Sequence, residues 1–151
     1  MTETANPPAS STETPAAAPV TTAATPFLMF HEGKAEEAIN FYVSLFKGGE
    51  LLELKKYGPN EVAPEGTVMR ARFRVAGLTV MAMDSSVPHD FNFTPAFSLF
   101  LEVESEEELR RLAEKLSEGG RVFMPMAAYG FSRQFTWCSD KYGVSWQINW
   151  T

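Results

Sequence analysis

The sequence predicts an α+β protein: two tandem βαβββ modules forming a curved mixed sheet with an open cleft. Three observations carry this. Two helix-like segments each close on a glycine pair, Gly48-Gly49 and Gly119-Gly120. Each is preceded by one short apolar strand and followed by three strand-like segments. Laid over each other at an offset of 71, the halves agree: Leu28 meets Leu99, Phe30 meets Leu101, Phe41 meets Leu112, Leu45 meets Leu116, and the glycine pairs coincide.

Residues 1–24 are built almost wholly from Ala, Thr, Pro and Ser, too little apolar surface to offset the entropy of ordering, so they predict a disordered tail. Glu3 stands where a secretory signal has a basic start, and no apolar centre follows. The first module spans about 25–85 and opens with the strand T-P-F-L-M-F. In the next segment Ala35, Ala38, Ile39, Tyr42 and Leu45 recur at helical spacing behind acidic first turns. Strands follow at about 50–57, 67–75 and 78–84, broken at Gly58-Pro59 and Ala76-Gly77.

A linker of about 86–94 leads to the second module, about 95–150. A-F-S-L-F-L-E-V is its first strand. S-E-E-E-L-R-R-L-A-E-K-L-S-E-G-G is its helix, with Ser105 and Glu108 in a capping-box pattern and a stripe of Leu109, Leu112, Ala113 and Leu116. Strands at about 121–127, 133–139 and 144–150 complete it.

One helix per four strands covers one sheet face and leaves the other bare, so strand parity names the cleft residues. Between 67 and 75, Met69, Ala71, Phe73 and Val75 face the helix, placing Val68, Arg70, Arg72 and Arg74 on the bare side. The same logic leaves Ser98, Phe100 and Glu102, then Ser145, Gln147 and Asn149, with Phe27 and Met29 from the first strand. The predicted ligand-binding cleft is therefore Phe27, Met29, Arg70, Arg72, Ser98, Phe100, Gln147 and Asn149. Apolar walls with a few polar groups suit a small molecule, and paired guanidinium donors favour carboxylate, phosphate or phosphonate. The plainer reading is the wet side of an ordinary sheet, with Glu102 as the arginines' ion-pair partner.

A net charge of −6 and a pI near 5.0 argue against nucleic acid or anionic membrane as partner. Cys138, the only cysteine, permits no internal disulfide, and its simplest reading is a small strand residue in a cytoplasmic protein. No apolar run is long enough to span a bilayer. His31 reads as an exposed loop residue, while His89, beside Asp90 in the linker, reaches toward a cleft edge. Tyr129 and Trp137 read as core or interface packing near the second wall.

The start T-P-F-L-M-F-H-E-G-K-A-E-E-A-I-N-F-Y-V-S-L-F, the second helix and the ending D-K-Y-G-V-S-W-Q-I resemble the PhnB-like branch of the vicinal oxygen chelate (glyoxalase/bleomycin resistance) superfamily. The resemblance covers roughly 25–150 and implies paired βαβββ modules, a homodimer, and a cleft in each curved sheet. It also implies four divalent-metal ligands, one on each of four strands, which fall on Phe27, Arg70, Ser98 and Gln147. Only Gln147 could ligate, and weakly, so no metal site and no cofactor are expected. A methyltransferase label carried by some of the branch finds no G-x-G-x-x-G loop in this sequence.

Three functions stay open. The first is a metal-free module binding a small, partly apolar anion. The second is a metal-dependent lyase, isomerase or dioxygenase, or a metal-free enzyme using His89 or Glu102 as catalytic residue. The third is an oligomerisation or interaction domain presenting Phe91, Phe93 and Trp150.

Overall fold

The computed structural model describes residues 21–151; most of the predicted tail, residues 1–20, lies outside them. Residues 21–24 are exposed coil. The first module comprises β1 (Phe27–Phe30), α1 (Ala35–Leu45), β2 (Glu50–Lys56), β3 (Val68–Val75) and β4 (Leu78–Asp84). The second comprises β5 (Ser98–Glu102), α2 (Glu106–Ser117), β6 (Arg121–Ala127), β7 (Gln134–Ser139) and β8 (Ser145–Trp150). The strands order as β1-β4-β3-β2 and β5-β8-β7-β6, so each predicted βαβββ module forms its own four-stranded mixed sheet. In each, the first strand runs parallel to its neighbour and the remaining pairs are antiparallel.

The offset of 71 holds through the starts of the first three elements: Phe27 and Ser98, Ala35 and Glu106, Glu50 and Arg121. It fails afterwards because the connection 57–67 is longer than its counterpart 128–133. The glycine pairs act alike in both copies. Gly48 and Gly119 take left-handed φ of 77° and 73° to end the helices. A Cβ on Gly49 would collide with the Val43 carbonyl, and one on Gly120 with that of Ser139.

The helix stripes bury as their spacing predicts, Ala35, Ala38, Ile39, Tyr42 and Leu45 on α1 and Leu109, Leu112 and Leu116 on α2, except that Ala113 is only partly buried. Ser105 caps α2 by accepting the Glu108 N–H at 3.2 Å. Lys34 offers α1 no such cap. Asp84, buried at the end of β4, instead accepts from Ala35 N at 2.9 Å and Val68 N at 2.8 Å. Val68 is therefore buried, against the parity that put it on the bare side. The cause is a register irregularity between Lys55 and Lys56, which pair with Arg70 and Val68 and skip Met69.

The modules join on their helix sides, where one apolar core runs through both. Trp146 of β8 packs against Tyr42 and Phe46, with ring centres 5.3 and 6.0 Å apart. Two tyrosine–carboxylate bridges cross the junction in opposite directions: Tyr42 donates to Asp140 at 2.6 Å, and Tyr142 donates to Glu37 at 2.7 Å. Arg111 of α2 donates to the Leu45 carbonyl at 2.7 Å. Asp140 also accepts from Trp146 Nε1 and from the backbone N–H of Tyr142 and Val144. Burial still pushes its carboxyl above the usual carboxylate range despite these four donors. Among the described residues, no helix is long and apolar enough to cross a membrane.

Candidate functional site

On the bare face of the first sheet, register sets Phe27 and Met29 of β1 beside Met81 and Met83 of β4, and Met81 beside Arg72. Arg72 pairs in turn with Glu53, Arg74 with Glu50 and Arg70 with Lys55. Glu53 is shared: Arg70 donates to its Oε1 from Nε at 3.1 Å and Nη2 at 2.7 Å, and Arg72 lies 3.7 Å from its Oε2. Arg74 reaches Glu50 at 3.3 Å. Glu53, not Glu102, is thus the arginines' partner within the chain. Lys55 has no ion-pair partner among the described residues, so Arg70, Arg72, Arg74 and Lys55 meet only two carboxylates on this face. Strand parity assigned this strand no bare face, and a bulge between Leu51 and Glu53 breaks the alternation that would have placed Glu50 and Glu53 together.

The second sheet carries a different face. Its rows are Ser98–Ser145–Ser139, Phe100–Gln147–Trp137 and Glu102–Asn149–Phe135. Ser145 and Asn149 share this face as predicted, yet both are buried by their neighbours. Trp137 Nε1 donates to Ser145 Oγ at 2.8 Å, and the Ser98 and Ser145 hydroxyls lie 2.6 Å apart. Either hydroxyl of the Ser98–Ser145 pair can donate to the other, and Ser145 Oγ has the lone pairs to accept from Trp137 as well. Asn149 donates to Glu102 at 3.0 Å and leaves its Oδ1 buried without a partner. Phe100, Phe131, Phe135 and Tyr129 cluster beside it, with Phe100 51% and Phe131 60% exposed.

The eight predicted cleft residues therefore divide: Phe27, Met29, Arg70 and Arg72 on one sheet, Ser98, Phe100, Gln147 and Asn149 on the other. Of these eight, Phe27 lines a mostly apolar cavity of about 310 Å³ with Phe93, Phe97, Val144 and Ser145, at the start of both sheets. Glu102 also lines a groove with Phe46 and Lys47. The four positions that the resemblance marks for a divalent ion do not fit one: a phenyl ring, an ion-paired guanidinium, a hydroxyl engaged with Ser145, and one amide. His31 is half-buried, not exposed as read, and its Nε2 is buried without a hydrogen-bond partner. It faces His89 across 5.8 Å between ring centres. Cys138 is buried, and burial pushes its thiol up to about 11.

Two βαβββ modules, each leaving one sheet face bare, define the architecture of the vicinal oxygen chelate proteins. A family model described as 3-demethylubiquinone-9 3-methyltransferase matches residues 22–149. A PhnB protein from Bacillus cereus is 48% identical, with a TM-score of 0.83 over 86% of this chain and 100% of that one. Protein PA1353 from Pseudomonas aeruginosa is 29% identical, with a TM-score of 0.74 over 86% of this chain and 98% of that one. Protein YjdN of Escherichia coli (strain K12) is 28% identical over 82% of this chain and 92% of its own. The chain belongs to this PhnB-like family.

Proposed function

We propose that the chain is a binding protein for a small, partly apolar anion, held on the bare sheet faces. One observation carries the reading: in a protein of net charge −6, Arg70 and Arg72 share the single carboxylate of Glu53 beside Phe27, Met29, Met81 and Met83. One carboxylate balances one guanidinium, so the second keeps its charge for a ligand, and apolar surface lies alongside for the rest of it. The partly exposed Ser98 hydroxyl adds a polar group on the other sheet. Since the modules meet on their helix sides, the working form is a homodimer in which the charged face of one copy stands across the aromatic face of a second.

The family's description names a methyl transfer, but this sequence has no G-x-G-x-x-G loop to cradle a nucleotide-like cofactor, and binding is the reading we favour. Phenylphosphonate and benzoate serve as probes, with tryptophan fluorescence as readout and light scattering for the dimer. Arg70→Ala should weaken the bound probe by about tenfold, or about 1.4 kcal/mol, at an unchanged melting temperature. Affinity indifferent to Arg70, or a strict monomer that binds as tightly, would overturn the reading.

A further inference from the structure

The chain has two histidines, His31 from the β1–α1 turn and His89 from the linker between modules, and the fold brings them together. Their rings meet edge to face, 5.8 Å between centres and 77° between planes. They share a cavity of about 730 Å³ with Glu32, Thr67, Ser85 and Asp90. His89 is stacked on Phe91 at 4.7 Å, which holds its ring. Behind His31 the chain turns through two successive left-handed residues, Glu32 at φ 58° and Gly33 at φ 70°. Such a conformation is uncommon for a glutamate and persists only where its surroundings impose it.

We propose that His31 and His89 form a site for a borderline transition-metal dication of the zinc, nickel and cobalt class, separate from both bare sheet faces. The buried His31 Nε2 lacks a partner among the described residues, an arrangement that is destabilising unless something satisfies it. Neutral imidazole nitrogen is a preferred ligand of these ions. Two imidazoles bound to one ion at about 2.1 Å per bond have ring centres about 5–6 Å apart, the separation seen here. Among the described residues no third His, Cys, Asp or Glu is already in place as a ligand. The remaining positions fall to water and to Asp90 or Glu32, the carboxylates lining the same cavity. Ser85, just before the linker, donates its N–H to the Phe30 carbonyl at 2.8 Å, and an ion held by both rings would clip the following linker to the first module.

The test uses the chelator-treated full chain titrated with zinc and, separately, with paramagnetic cobalt, read by proton NMR. With only two histidines, their ring signals are countable without further assignment. Both should respond together and saturate near one equivalent, and His31→Ala and His89→Ala should each weaken binding by at least about tenfold. A response from one ring alone, or no saturable response, overturns the site. Binding kept in the double variant but lost in Gln147→Ala would put the ion on a bare sheet face and overturn it equally. The wild-type spectra decide the question even if a variant fails to fold.

Discussion

On the first sheet the bare face is a ladder of charges, Arg74 with Glu50 and Arg72 and Arg70 with Glu53. On the second, Phe100, Trp137 and Phe135 surround the Ser98–Ser145 and Asn149–Glu102 hydrogen bonds. The same two modules keep one order of elements, and each ends its helix on a glycine pair whose first member is left-handed. A side that must fill the core tolerates little change, because large or small misfits there cost several kcal/mol, whereas a bare side is free to diverge. One unit used twice thereby supplies a basic wall and an aromatic wall.

That contrast predicts a graded set of outcomes. The largest falls on the junction that both modules share. Asp140→Ala should destabilise by about 3–5 kcal/mol in urea unfolding, since it strands the buried Tyr42 hydroxyl and Trp146 indole. A loss under 1 kcal/mol would mean that the modules do not depend on this bridge.

Next comes the aromatic face. Trp137→Phe removes the indole donor to Ser145 and should cost about 1 kcal/mol. It should also weaken phenylphosphonate binding; unchanged binding would show that the Ser98–Ser145 pair takes no part in holding the probe. On the charged face Glu53→Ala should shift stability by less than about 1 kcal/mol, because its pairs are exposed, while tightening phenylphosphonate by releasing Arg70 and Arg72. Weaker binding in Glu53→Ala would reverse the assignment of that carboxylate as a competitor.

The two crossing bridges differ in sign with pH. The Tyr142 hydrogen bond holds Glu37 below its ordinary range, so its contribution is present above that range and lost as pH falls through the lowered value. Burial raises Asp140, so its contribution is present below the ordinary range and lost as pH rises through the raised value. Urea midpoints across the acid range should fall less steeply on acidification in Glu37→Gln, and should lose their decline toward neutrality in Asp140→Asn. The smallest effect is kinetic: Cys138 should resist alkylation in the folded chain and react on unfolding.

The sequence by itself determined the doubled βαβββ order, the helix stripes, the Ser105 cap and the inward faces of β5 and β8, because each follows from a period of 3.6 or 2 within one element. Parity also put Arg70, Ser98 and Gln147 on bare faces. It failed at Val68, where a bulge shifts the alternation by one residue, and it was silent on Glu50 and Glu53, which a second bulge brings to one face. Only the tertiary structure decided that Glu53 and not Glu102 holds the arginines, that the cleft residues divide between two sheets, that Tyr42 meets Asp140, and that His31 meets His89. Those meetings join residues far apart in the chain and depend on how two rigid modules dock and where a linker crosses, which no local periodicity encodes.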